Sequence, residues 1–115
     1  MTLRACLTRS IEGLRGAPAR GRDELRAAVE EHLAEVRRAA IDDPFVDLAT
    51  AERVAAGCHA LLDAWSGFDP DARAWTQVAC LYFADPRDDE DDLASIVGFD
   101  DDLEVLHHVT ERVCR

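Results

Sequence analysis

The sequence predicts an all-α protein, a single compact bundle of about five helices. Apolar residues recur at spacings of three and four almost throughout the 115 residues, and no segment shows the alternation of an amphipathic strand. Glycine, proline and aspartate separate the periodic stretches, as they do at helix ends. The length suits one domain, so residues 1–115 are expected to form a single helical domain.

The first predicted helix is amphipathic and is followed by a short linker, both within residues 1–21. Its apolar stripe consists of Leu3, Leu7, Ile11 and Leu14. A second helix is predicted over residues 23–41, and the pair Asp43 and Pro44 ends it.

A third helix is predicted over residues 47–65, with Gly67 as its stop signal.

Asp69 followed by Pro70 then predicts the start of a fourth helix. An aspartate oxygen can accept hydrogen bonds from the backbone N–H groups of the first turn, and proline suits the first helical position because an N–H there would have no partner in the helix. This fourth helix, residues 70–84, is apolar on most sides and is expected to lie centrally. We therefore assign its large aromatic residues to the core, namely Trp75, Tyr82 and Phe83. A short apolar turn over residues 93–97 and a last helix over residues 101–113 complete the prediction.

The negative charge of the chain is concentrated in one segment. The chain has 24 acidic and 13 basic residues and a formal charge of −11. Residues 85–104, which we call the acidic segment, contain ten acidic residues and a single arginine. So negative a surface repels polyanions, which disfavours nucleic acid as a partner.

The acidic segment has two groups of carboxylates with different interpretations. Asp100, Asp101 and Asp102 stand where the last helix starts, a position that favours negative charge. The earlier group, residues 88–92, contains the candidate contacts to a protein partner with a basic surface: Asp88, Asp89, Glu90 and Asp91.

A divalent cation is the alternative explanation of these carboxylates. Ca²⁺ or Mg²⁺ binds several oxygen ligands at varied sequence spacing, and the candidate ligands are Asp88, Asp92, Asp101 and Asp102. The loop is not of the EF-hand type, because its sixth and twelfth positions are Leu93 and Phe99. The carboxylates also have a purely structural explanation as helix caps.

Residues 82–106 resemble the signature of the YkvA-like bacterial domain family, an acidic segment of helix, bend and helix. The matching positions are Tyr82, Phe83, Pro86, Asp88, Asp92, Gly98, Phe99, Asp101, Asp102, Val105 and Leu106. Asp91 stands where the family usually has proline, and Arg87, Asp89 and Glu90 replace residues that are apolar in many members. Because membrane association is often attributed to the apolar form, the resemblance implies a soluble, charge-rich branch, and it implies no activity.

Catalytic and metal motifs are weak. Glu104 and His107 have the spacing of a carboxylate-bridged metal site, but a second such pair is missing. The four cysteines lack a paired zinc spacing and are expected to be free thiols in a reducing cytoplasm. His59 and Asp63 are expected to form a surface ion pair.

The sequence therefore favours a non-catalytic, cytoplasmic protein-interaction module over an enzyme. It predicts no integral membrane insertion, because charged residues interrupt every apolar run. A second alternative is peripheral membrane association through the basic first helix, which requires its apolar stripe to be exposed.

Overall fold

The computed structural model describes residues 16, 18–84 and 100–113, and it confirms the all-α class in that part of the chain. Its α-helices are α1 (Arg22–Asp42), α2 (Leu48–Asp63), α3 (Pro70–Ala84) and α4 (Asp100–Val113), and a 3₁₀ turn, Trp65–Gly67, follows α2. The apolar stripe of the helix expected within residues 1–21 falls outside the described residues, as does the expected turn of residues 93–97, whereas the expected linker is described at residues 16 and 18–21. Four helices are thus observed there, and a bundle of about five stays a prediction.

Aspartate side chains begin two of the helices. The Thr50 backbone N–H donates to Asp47 Oδ1 at 3.1 Å, and the Thr50 hydroxyl donates to Asp47 Oδ2 at 2.7 Å. The hydrogen bonds with Thr50 lower the pKa of Asp47 below its ordinary value. At α3 the Ala72 N–H donates to Asp69 Oδ1 at 2.8 Å, which confirms the predicted helix start.

The connection between α1 and α2 follows from Asp43 and Pro44. Asp43 leaves the helix with an extended backbone, φ −131° and ψ 106°, as expected for a residue that precedes proline. Its side chain then accepts a hydrogen bond from the Phe45 N–H at 2.9 Å, which closes a tight turn. The turn leaves Ile41 and Phe45 each 81% exposed.

Helix α2 ends two residues earlier than predicted. The Ala64 N–H bonds to the carbonyl groups of both Leu61 and Leu62, and the chain then continues as the 3₁₀ turn to Gly67. The tighter turn therefore takes Trp65 out of the α-helix and leaves it half-buried.

Helix α3 lies at the centre of the bundle, as its sequence predicts. Residues 75–81 are all buried, and α3 contacts α1, α2 and α4. Helix α2 likewise contacts α1 and α4, so α2 and α3 together contribute most of the shared core. Phe83 and Trp75 are buried in this core, whereas Tyr82 is half-buried at its edge.

Helix α4 approaches α2 closely at a glycine. A Cβ atom added to Gly57 would collide with the Cδ2 atom of Leu106. The absence of a side chain at Gly57 therefore leaves the space that Leu106 occupies. Leu106 is itself buried, together with Val105 and Val109 of the same helix. The glycine costs α2 about 0.5–1 kcal/mol of helix stability and permits this packing in return.

No helix within the described residues combines the length and the apolar character that a membrane crossing requires.

Candidate functional site

The acidic segment is attached to the bundle at both ends. Helix α3 ends at Ala84 and α4 starts at Asp100, and these two helices pack against each other. The four candidate partner contacts, Asp88, Asp89, Glu90 and Asp91, lie outside the described residues, as does Asp92. The structure therefore describes the two helices that flank the acidic segment, and the partner contacts stay a prediction.

The second group of carboxylates lies at the start of α4. Asp100, Asp101 and Asp102 occupy the first turn of this helix, where negative charge interacts favourably with the unpaired backbone N–H groups. Asp102 is half-buried, and its negative charge contributes to the raised pKa of Cys58. Of the four candidate metal ligands, Asp102 is the one whose side chain is described.

No group of three or more histidine, cysteine, aspartate or glutamate side chains suited to a metal ion occurs within the described residues. The cation hypothesis depends on Asp88 and Asp92, which lie beyond them, and so it stays a prediction.

Two of the four cysteines are buried as free thiols. Cys58 of α2 and Cys80 of α3 are both 0% exposed and belong to the hydrophobic core, as their positions on apolar stripes predict. A hydrogen bond between the two thiols, burial, and the negative charge of Asp102 raise the pKa of Cys58 well above its ordinary value. Cys6 and Cys114 lie outside the described residues.

Charged side chains join α1 to α2 on the surface. Arg26 Nη2 donates to Asp63 Oδ1 at 2.7 Å, and Arg26 Nη1 lies 3.2 Å from His59 Nδ1. Asp63 therefore pairs with Arg26 of the neighbouring helix and not with His59 as expected, and the same arginine lies beside His59. Further along the same face, Arg37 Nη2 donates to Glu52 Oε2 at 3.1 Å.

A shallow groove of about 470 Å³ lies between these two sets of contacts. Its floor includes Leu33, Ala55 and Ala56, where small side chains on α2 leave room beside α1. Both acidic and basic side chains line the groove, and none of them belongs to the acidic segment.

A cluster of aromatic and cationic groups joins α3 to α4. The Arg112 guanidinium lies 4.8 Å from the Trp75 ring centre, and its Nε donates to His108 Nε2 at 2.9 Å. Partial burial and the nearby Arg112 charge lower the pKa of His108. His107 points to solvent and Glu104 is half-buried, and no metal cluster forms in this part of α4.

Three buried polar residues in the described part of the chain were not predicted from the sequence, namely His32, Thr76 and Gln77. His32 stands among the apolar residues of α1 and meets Phe83 edge to face, with ring centres 4.9 Å apart. Its spacing of three from Val29 and four from Val36 could have placed it on the core face. Gln77 of α3 binds backbone groups of residues 18 and 20, a long-range contact that no local pattern reveals.

Comparison with known proteins finds no matching family model, no matching curated protein and no matching solved structure. The resemblance of residues 82–106 to the YkvA-like family accordingly stays a prediction.

Proposed function

We propose that the chain is a non-catalytic protein-interaction module whose acidic segment binds a basic surface on a partner protein. The observation that carries this proposal is the uneven charge of the sequence. Residues 85–104 have a net charge of −9, whereas the other 95 residues have 14 acidic and 12 basic side chains. Concentrated charge of this kind gives a protein fast and selective association with a surface of opposite charge.

The described part of the bundle is consistent with this proposal. Several of its surface charges are paired across neighbouring side chains, as in the contacts of Arg26 with Asp63 and of Arg37 with Glu52. Such exposed pairs contribute little stability. Residues 18–84 and 105–113 have 13 acidic and 8 basic side chains, so their excess of negative charge is smaller than that of the acidic segment and is spread over many more residues. Helices α3 and α4 pack together, so both ends of the acidic segment are attached to one body.

A capture experiment tests the proposal in a lysate of the source cell. The bait is the full chain, compared with a variant carrying Asp88→Asn, Asp89→Asn and Asp91→Asn. The control variant removes the same charge from exposed sites on α1 through Glu30→Gln, Glu31→Gln and Asp42→Asn. We expect the first variant to capture its partner about tenfold less and the control to match the parent chain. We also expect capture to weaken as salt is raised, because salt screens exposed charges.

Equal capture by the parent and the first variant would contradict the proposal, as would an equal loss of capture in both variants.

Titration of the chelator-treated protein with Ca²⁺ or Mg²⁺ tests the alternative of a divalent cation. A saturable rise in the unfolding midpoint that Asp92→Asn removes would favour that alternative. Flotation with anionic vesicles tests the alternative of peripheral membrane association.

A further inference from the structure

Two large apolar side chains, which we call the apolar pair, are exposed at the connection between α1 and α2. Ile41, in the last turn of α1, and Phe45, in the turn that follows, are each 81% exposed. Small polar residues, glycine and proline are the usual residues of such turns. Two exposed apolar residues four positions apart are typical of a binding surface, whereas a single one is common on any protein.

The turn holds Phe45 outward. The Phe45 N–H donates to Asp43 Oδ1 at 2.9 Å, and the Asp43 N–H donates to the Ala39 carbonyl at 3.1 Å. Val46, the next residue, donates its N–H to the Asp43 carbonyl at 3.3 Å, and its side chain is buried in the core. A partner that binds the apolar pair therefore meets a hydrogen-bonded turn and has little additional chain to order.

Helix α3 ends on the side of the bundle where the apolar pair lies. Gln77 of α3 binds backbone groups of Pro18 and Arg20, which precede α1. Phe83, one residue before the end of α3, meets His32 of α1. Earlier residues of α3 thus meet earlier residues of the α1 region, so α3 runs in the same general direction as α1 and ends toward the turn.

Helix α4 starts at the same end of the bundle. The ring of Trp75, in the first half of α3, lies 4.8 Å from the guanidinium of Arg112 in the last turn of α4, so these two helices run in opposite directions. The acidic segment follows α3 and includes the start of α4, and it is therefore attached to the bundle at the end that carries the apolar pair.

The separation of the two features suits a single interface. At 1.5 Å per residue, about 15 Å of helix lies between His32, which meets the end of α3, and the end of α1. A protein interface of about 800 Å² per partner is wider than this. One partner can therefore contact the acidic segment and the apolar pair together.

The charge at this end of the bundle decides which kind of partner fits. A second copy of the chain would bring another acidic segment of net charge −9 close to the first, and an anionic membrane would meet the same repulsion. A basic protein surface is attracted instead. Protein interfaces have a core of buried apolar anchors and a polar rim, and the apolar pair beside the acidic segment has this arrangement.

We propose that Ile41 and Phe45 are the apolar anchors of this interface and enter an apolar cleft of the partner that arginine or lysine side chains border. The inference rests on the proposed function and adds the chemistry of the partner to it. The acidic segment would speed association over a distance, and the apolar pair would slow dissociation once the two surfaces meet.

Two synthetic peptides serve as probes, and fluorescence anisotropy measures their binding to the full chain. One peptide has leucine and lysine in amphipathic helical order, and the other has alanine in place of leucine. The two peptides carry equal charge, and both residue types favour a helix. We expect the full chain to bind the leucine peptide about tenfold more tightly, because buried apolar anchors contribute most of the affinity of an interface.

Three variants locate the source of this preference. Ile41→Ser with Phe45→Ser should remove the tenfold difference and leave binding of the alanine peptide unchanged, because it alters no charge. Both residues are exposed, so this variant should keep the unfolding midpoint of the parent. Ile41→Leu with Phe45→Leu is the matched control and should retain the preference. Asp88→Asn, Asp89→Asn and Asp91→Asn together should weaken binding of both peptides.

The results separate this inference from the proposed function. A full preference for the leucine peptide in the serine variant, or no preference in the parent, would overturn the inference and leave the proposed function standing. Unchanged binding of both peptides by the asparagine variant would overturn the proposed function, and the inference with it.

The other possible occupants of the apolar pair give results of their own. Sedimentation of the parent as a dimer that the serine variant abolishes would assign the pair to a second copy of the chain. Flotation with vesicles of phosphatidylcholine and phosphatidylglycerol that the serine variant abolishes would assign it to a membrane. Either result would overturn the inference.

Discussion

Gln77 is a polar residue in the most buried stretch of the bundle. Its side-chain Nε2 donates to the Pro18 carbonyl at 2.9 Å, and its Oε1 accepts from the Arg20 N–H at 2.8 Å. These bonds tie the chain before α1 to the middle of α3 and satisfy both ends of the buried amide. Gln77 thus holds residues 18–20 against the bundle.

Gln77→Ala should lower the free energy of unfolding by about 1–3 kcal/mol, because it leaves two backbone groups without their partner. Urea unfolding measures this change, and trypsin should cleave faster after Arg20 and Arg22 in the folded variant. Thr76→Val is the matched control, since the buried Thr76 hydroxyl bonds only within its own helix, to the Ala72 carbonyl. Equal losses in both variants, with no change in cleavage, would contradict the prediction.

His32 is a buried residue whose burial links stability to pH. Desolvation lowers the pKa of His32 below 6.5, and the nearby charge of Glu35 opposes this shift without cancelling it. The unfolded chain therefore binds a proton more readily than the folded chain. The stability that comes from neutral His32 is present above pH 6.5 and is lost as the pH falls from 6.5 toward the folded pKa.

His32→Leu should accordingly flatten the loss of stability between about pH 7 and pH 5. The measurement is urea unfolding at several pH values, together with NMR titration of His32 in the parent chain. The control is His107→Leu, at an exposed position of α4, which should retain the steep dependence of the parent. A His32 titration midpoint above 6.5 would be incompatible with this account.

At the scale of elements, the packing of α4 on α2 depends on the missing side chain of Gly57. Gly57→Leu should lower the free energy of unfolding by about 1–3 kcal/mol, because the added side chain meets Leu106 and overfills the contact. Urea unfolding checks the change, and hydrogen exchange should speed up in α4 more than in α1.

Gly67→Leu is the control for this prediction. A Cβ atom at Gly67 meets no other atom within 4 Å, and none of the described glycines has a positive φ. The same substitution should therefore be tolerated there. If Gly57→Leu is as stable as Gly67→Leu, the close approach of α4 is not a feature of the protein in solution.

Helix starts and helix ends differ in how well nearby residues in the sequence predict them. Asp69 and Asp47 begin their helices by accepting backbone hydrogen bonds within three residues, so the sequence alone reveals a start such as that of α3. At the end of α2, the chain passes through Ala64 into a 3₁₀ turn, and no residue type in this stretch distinguishes a 3₁₀ turn from a further turn of α-helix. Local capping was therefore predictable, and the final turn of α2 was not.

At the scale of the whole molecule, the acidic segment sets the response to salt. Its net charge of −9 lies within 20 residues, so the carboxylates repel one another in the folded protein. Raising NaCl from about 0.1 M to 1 M shortens the screening length from about 10 Å to 3 Å and should raise the thermal unfolding midpoint.

Thermal unfolding of three proteins tests this expectation. The variant with Asp88→Asn, Asp89→Asn and Asp91→Asn should show a smaller rise with salt than the parent chain. The variant with Glu30→Gln, Glu31→Gln and Asp42→Asn should keep the full rise, because its charges lie outside the acidic segment. A midpoint that falls with salt in the parent would show that attraction between opposite charges dominates instead.

The sequence by itself determined the all-α class, the central place of α3, the aspartate at its start and the uneven charge of the chain. These properties depend on helical periodicity, on capping within three residues and on composition, all of which are local. Only the tertiary structure decided that Gln77 binds residues 18 and 20, that Arg26 joins His59 to Asp63, and that Leu106 of α4 packs on Gly57 of α2. Each of these contacts joins residues more than 20 positions apart, and such contacts exist only because the packing of whole helices brings their side chains together.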